Sequence, residues 1–519
     1  MTVLTGDALA HLKAGVSVPR YDRREVSAGI VHIGVGNFHR SHQAVYLDTL
    51  MNAGAALEWG ICGIGLQPSN TAMRDVMAAQ DGLYTVVLRH RDGTWEARVI
   101  GSIIEYLLAA DDPEAAIEKL AAPATRIVSL TITEGGYNLD AVTGEFDSSD
   151  PAVASDLRPG AVPRTVFGLV TEALARRRAR GIPAFTILSC DNIPANGDVS
   201  RRACTAFARL RDPGLADWIT RHVRFPSCMV DRITPRTTEA DRAELSRRFG
   251  IEDQWPVLCE PFTQWVLEDD FADGRPPLED AGVHIVPEVE PYELMKLRLL
   301  NASHQALCHP GRLVGYRFVH EVTSDPLFAR FLLDYMTAEA IPTLRPVPGV
   351  DLLGYANQLI ERFANPEVRD TVARLCANAS DCIPKFLLPV IRQQLAVGGP
   401  ITRSAAVVAA WARDAEGTDE NGEPHELDDD LAPRLQAAAR RQRRYPTAFL
   451  DGNRTVFGEL ADDSRFTGVY GSILTSLLER GVRRTFADLD RFATPAKPGQ
   501  APPGVDALDA LDALERKSP

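Results

Sequence analysis

Lys296, Asn301 and His304 lie five and three residues apart in a run, Tyr292 to His309, that contains neither glycine nor proline. The spacing predicts one helix. With Lys296 at zero and about 100° per residue, His304 falls near ~80° and Asn301 near ~140°. One flank of the helix then presents an amine, an imidazole and an amide. Those groups suit removal of a proton from an alcohol and a hydrogen bond to the oxygen left behind. A free lysine is a poor base at neutral pH, with a pKa near ~10.4, but burial beside polar donors favours the neutral amine. An amphipathic helix lying on a core, with Lys296 and Asn301 at its wet edge, shows the same pattern.

The first half of the chain predicts a scaffold. Strand-like segments at 29–35, 59–66, 84–89, 96–103, 126–133, 184–190 and 223–230 alternate with helical ones at 40–53, 70–79, 113–121, 163–180 and 199–211. Such alternation implies an α/β fold, a parallel sheet with helices on its faces. After about residue 286 helical patterns dominate, at 291–308, 327–338, 352–363, 371–379, 383–395, 405–415, 431–442 and 472–480. A boundary is therefore expected in the proline-bearing stretch Val286 to Pro291. This gives a dinucleotide-binding domain at 1–285, a mainly α-helical domain at 286–493 and a flexible tail at 494–519.

The first strand carries a turn of its own. Ile30-Val31-His32-Ile33 leads into Gly34-Val35-Gly36-Asn37-Phe38-His39-Arg40. Two glycines there allow a tight turn and close approach of a pyrophosphate to a helix start, although a bare strand-to-helix turn needs them too. His39 replaces the third glycine of the usual fingerprint. The second strand ends at Gly65-Leu66-Gln67-Pro68-Ser69-Asn70 without the acid that normally holds the adenosine ribose, so NAD and NADP both stay open. His39 and His42 have no third ligand nearby for zinc.

Further polar clusters recur where strands should end. They are Thr131-Ile132-Thr133-Glu134-Gly135-Gly136-Tyr137-Asn138, Ser189-Cys190-Asp191-Asn192, Met229-Val230-Asp231-Arg232-Ile233-Thr234-Pro235, and the stretch from Glu260 to Val266. Ligands bind at the carboxyl ends of strands in open α/β sheets, so these clusters are expected to line one cleft.

Five motifs in order, Gly34 to Arg40, Thr133 to Tyr137, Ser189 to Asn192, Met229 to Pro235 and the Lys296, Asn301 and His304 spacing, resemble the polyol-specific long-chain dehydrogenases, the mannitol 2-dehydrogenase family, from about residue 28 to 490. The resemblance implies a Rossmann-like N-terminal domain, a helical C-terminal domain and metal-independent, NAD(P)-dependent oxidation of a secondary alcohol in a linear polyol. It implies Lys296 as general base, Asn192 and Asn301 as donors to the oxyanion, and His304 holding substrate. Asp231 and Arg374 fall at substrate contacts, and Glu293 where an acid serves proton exit. Cofactor contacts are expected from Ile33, Gly34, Gly36, Asn37, Phe38, Arg40, Thr133 and Glu134. The leading expectation is D-mannitol to D-fructose with NAD, NADP not excluded. The alternatives are a D-arabinitol 4-dehydrogenase or a fructuronate or tagaturonate reductase. A silent nucleotide-binding protein and a zinc enzyme are the more distant readings.

Composition is consistent with this. A net charge of −14 disfavours general nucleic-acid binding. Eight scattered cysteines without a CxxC pair fit reduced thiols better than a disulfide framework, and no Cys/His ligand set is spaced for zinc. The N-terminus lacks a secretory pattern and no apolar run reaches about 20 residues, so a cytoplasmic monomer or small homo-oligomer, off the membrane, is expected.

Overall fold

The computed structural model describes residues 2–140 and 144–493; the tail expected from 494 lies outside the described residues. The chain divides into two compact units, one ending at Glu290 and one starting at Pro291.

In the first unit five strands build a wholly parallel sheet: β1 (Ala28–Ile33), β2 (Gly60–Gly65), β3 (Ile103–Leu108), β4 (Ile127–Leu130) and β5 (Thr186–Ser189), in spatial order β3-β2-β1-β4-β5. Alternate residues feed two cores, because strand side chains point to opposite faces in turn. Val31, Ile33, Cys62, Ile64, Val128, Leu130 and Ile187 pack on the helices Pro113–Ala121 and Val166–Arg180. Ile30, Ile61, Ile127 and Leu188 pack with Ala44, Leu47 and Leu50. The strand order reverses between β1 and β4, the place where a doubly wound sheet opens a binding crevice at its carboxyl edge.

Two expectations need correction here. The strand expected over 96–103 is two elements, Trp95–Ile100, the antiparallel partner of Tyr84–Arg89, and β3. Gly101 and Ser102 turn the chain between them. The helix expected over 40–53 is also two, α1 (Asn37–Ser41) and α2 (Gln43–Asn52), broken where His42 adopts φ −121°, ψ −90°.

The second unit is helical. Its central helix, Thr402–Asp414, has Ala405 through Ala410 all buried, as a helix surrounded by others must. The helix expected over 291–308 runs further, through Pro310 to Leu313, and changes character on the way. Glu290–Met295 is α-helical, Lys296–Asn301 is π-helical, and α3 (Ala302–Leu313) is α-helical again. The Ala302 N–H donates to the Leu297 carbonyl, an i→i+5 bond. Among the described residues, no helix is long and apolar enough to cross a membrane.

Candidate active site

The β1 turn is built from the chain outward. Gly34 has φ +98°, and a Cβ there would stand 2.1 Å from the Thr131 carbonyl oxygen, so the packing of β1 against the end of β4 demands glycine. Thr131 Oγ1 donates to the Gly34 carbonyl at 2.7 Å. Gly36 is different. Its φ is −102°, open to any residue, and a Cβ would meet only the Gly34 oxygen at 3.8 Å. The fold itself does not need glycine at 36. The backbone there is exposed at the start of α1, a bare surface of the kind a phosphate needs. The turn therefore fits a dinucleotide by a criterion independent of its own packing.

Arg40 and Ile33 do not face that surface. Arg40 is wholly buried; its Nε donates to the Gly36 carbonyl (3.3 Å), Nη2 to Asn37 Oδ1 (2.7 Å) and Nη1 to the Trp255 carbonyl. Burial pushes its pKa down to about 10. Its role is to brace the turn, in place of the direct contact with phosphate expected from sequence. The Ile33 side chain is core, and only its carbonyl is at the turn, where it accepts from the Thr131 N–H (3.0 Å). Gly36, Asn37 and Phe38 stay accessible. His39 turns inward and stacks on His32 at 3.4 Å; burial holds both imidazoles neutral, His32 at about 3 and His39 well below its usual value. His42 Nε2 pairs with the Gln264 carbonyl (2.9 Å), so these histidines belong to the packing.

Past β4, Thr133 holds φ +63°, ψ 169°, a region costly for a residue with a Cβ. Asp191 fixes it. Its carboxylate accepts from the Thr133 N–H (2.8 Å), the Ile132 N–H (3.0 Å) and the Tyr137 hydroxyl (2.7 Å). Burial pushes the Asp191 pKa up against the pull of these donors. Sequence quoted Asp191 inside a motif but gave it no role. It clamps the end of β4 to the end of β5, leaving Thr133, Glu134 and Asn192 exposed along that edge. Asp231, buried, ends the strand Cys228–Asp231, and the next residue, Arg232, donates to the Ser41 carbonyl (2.6 Å) and the Glu260 carbonyl (3.1 Å). The β1 turn, α1 and the 229–235 motif are thus one assembly.

In the second unit the π segment changes the geometry computed from an ideal α-helix. An i→i+5 ladder sets residues five apart about one turn from each other, so Lys296 and Asn301 share a face where the 100° rule spread them by ~140°. His304 follows Asn301 at i+3, its neighbour on the helix surface. Lys296 and Asn301 are 7% and 8% exposed. The buried Asn301 Oδ1 has no hydrogen-bond partner among the described residues. The His304 ring stands 4.7 Å from that of Phe363, and Glu293 is half-buried one turn before Lys296. The π segment is held by Arg298, which donates to the Thr343 carbonyl (2.6 Å) and Gln393 Oε1 (2.9 Å), and by the Tyr335 hydroxyl, which donates to the Arg298 carbonyl (3.0 Å). Arg374, on α4 (Val372–Cys376), is 57% exposed and doubly bonded to Asp370 at 2.6 and 2.5 Å.

Comparison with known proteins decides the family. The pattern described as the Mannitol dehydrogenase Rossmann domain matches residues 28–280, and the Mannitol dehydrogenase C-terminal domain matches 288–477. The chain belongs to the mannitol dehydrogenase family. Within it, the mannitol 2-dehydrogenase of Phaeosphaeria nodorum is 47% identical over 475 residues, covering 91% of this chain and 83% of that one. That of Aspergillus fumigatus is 47% identical over 477 residues, covering 91% and 95%. The Pseudomonas fluorescens mannitol 2-dehydrogenase, solved as a ternary complex with NAD and D-mannitol, superposes with a TM-score of 0.85 at 46% identity, covering 94% of this chain and all of that one. A D-sorbitol dehydrogenase in substrate-free form gives 0.84 at 38%, covering 93% and all of that one. The family's two domains account for the change from α/β to helical pattern near residue 286.

Sequence spacing showed no ligand set among the cysteines, yet α3 and α4 bring Cys308, His309 and Cys376 together. Cys376 is 68 residues beyond Cys308, so no local motif could reveal it.

Proposed function

We propose that the protein is an NAD-dependent mannitol 2-dehydrogenase that interconverts D-mannitol and D-fructose. The observation that carries this reading is the π segment, which puts a buried lysine and a buried amide on one face, in a chain 46% identical to an enzyme solved with NAD and D-mannitol. Lys296, as the neutral amine that burial favours, takes the proton of the C2 hydroxyl. The oxygen gains charge as the proton leaves, and the Asn301 amide donates to it without titrating. His304 and Asp231 hold neighbouring hydroxyls, and Glu293, one turn away, passes the proton outward from Lys296. Gly36, Asn37, Phe38, Thr133 and Glu134 hold the dinucleotide along the strand ends. The chemistry a bound NAD supplies is acceptance of the hydride from C2. In the reverse direction protonated Lys296 donates to the ketose carbonyl. The lysine does the work of a metal-bound base, so the reaction is metal-independent.

A polyol is favoured over a uronate. Binding a carboxylate calls for a cation, and the Nε/Nη2 edge of Arg374 is already held by Asp370. Initial rates with D-mannitol, D-sorbitol, D-arabinitol, D-fructose and fructuronate, each with NAD(H) and NADP(H), test the reading. Mannitol and fructose with NAD(H) should give the highest kcat/KM. Preference for fructuronate, or no turnover on any of the five, would overturn it.

A further inference from the structure

We propose that Cys308, His309 and Cys376 form a three-ligand site for a thiophilic divalent cation, with zinc as the probe, inside the helical unit and apart from the reacting groups. One ligand atom from each residue lies within 4.8 Å of the others, and all three residues are buried. Sulfurs on a tetrahedral zinc stand roughly 3.7 Å apart, given bonds of about 2.3 Å, so little more than about 1 Å of closure separates this cluster from a ligating one. His309 lies eight residues past Asn301, ~12 Å along the helix, which sets the site away from the proposed base.

The imidazole is the second, independent observation. His309 Nδ1 is 2.8 Å from Asp414 Oδ2. The other nitrogen, Nε2, is buried and meets the Cys376 thiol instead of a carboxylate or carbonyl, so it is the one turned to the cluster. A ligating histidine almost always gives its other N–H to a carboxylate, which fixes tautomer and ring orientation. Asp414 is fully buried and held in turn by Arg312 (Nε to Oδ1, 2.8 Å) and His425 (Nε2 to Oδ1, 3.0 Å). Charge closes as well. On binding, the two thiols release their protons, two thiolates neutralise a divalent ion, and Arg312 balances Asp414.

The test uses the full-length protein, purified without chelators and without nickel affinity. Elemental analysis should find about one equivalent of zinc per chain. Cys376→Ser should lose most of it. If that variant does not fold, the wild-type protein serves: metal removed by chelator and replaced by Co2+ should produce thiolate-to-cobalt charge-transfer absorption. After denaturation in chelator, all eight cysteines should titrate as thiols. Metal-free protein that yields no cobalt–thiolate spectrum would overturn the proposal, and so would two missing thiols, which mean a disulfide.

Discussion

The two glycines of the β1 turn separate folding from ligand binding, because one is demanded by the chain and the other is not. In Gly34→Ala the new Cβ would lie 2.1 Å from the Thr131 oxygen, at φ +98°. Ordinary contact is near 3.4 Å, so the end of β4 must move by more than about 1 Å. A left-handed residue costs about 1–2 kcal/mol and overpacking about 1–3, so a loss of about 2–5 kcal/mol in unfolding free energy is expected. In Gly36→Ala the Cβ meets nothing closer than 3.8 Å at φ −102°. Such a substitution should leave stability unchanged or raise it by about 0.4–1 kcal/mol through the unfolded chain. The same methyl would cover backbone that a pyrophosphate approaches, and NADH affinity should fall at least about tenfold, or about 1.4 kcal/mol. Denaturant unfolding measures the first quantity and NADH fluorescence titration the second. Gly36→Ala binding NADH within twofold of the parent would refute the assignment of this turn to the cofactor. A stable Gly34→Ala would refute the packing argument.

Other outcomes follow from single contacts. Asn301→Ala should lower kcat by about 10²–10³ with KM for NADH unchanged, since it removes one donor to the oxyanion; steady-state kinetics checks this. Asp191→Asn should raise KM for NADH more than it lowers kcat, because Thr133 loses the charged acceptor that holds its positive φ. Glu339, fully buried, accepts from the N–H groups of Arg403 (2.6 Å) and Ser404 (2.8 Å) at the start of the Thr402–Asp414 helix, and burial pushes its pKa up to about 7. Its folded pKa exceeds the unfolded one, so its contribution is most favourable below about 4.5 and falls as pH rises to about 7, by at most ~3 kcal/mol. Unfolding free energies across that window should fall less steeply in Glu339→Gln.

Much of the fold was legible because its signals are local. Helix Pro113–Ala121 begins on a proline after Asp112, whose side chain caps Ala115 N–H at 2.9 Å, and its bounds match the expectation. The β1 strand and its glycine turn were readable for the same reason. What sequence could not show is what distant residues do to local geometry. The π segment depends on Arg298, Thr343, Gln393 and Tyr335 meeting across nearly a hundred residues, so periodicity at 100° misplaced Asn301 relative to Lys296. Arg40 looked like a phosphate ligand because it follows the glycines, but Trp255, 215 residues on, takes its guanidinium inward. The strand run at 96–103 was misread because two apolar stretches flank a Gly-Ser pair with no other punctuation. The likeness of the five motifs to one family, by contrast, reached the domain content directly, since each motif sits intact in sequence.

Lys296 carries the central claim, and the Lys296→Ala enzyme tests it in one preparation. With NADH saturating, initial rates of D-fructose reduction should fall by three orders of magnitude or more while NADH still binds with its normal affinity. Turnover within about tenfold of the parent in the purified, folded variant would contradict the lysine-base mechanism.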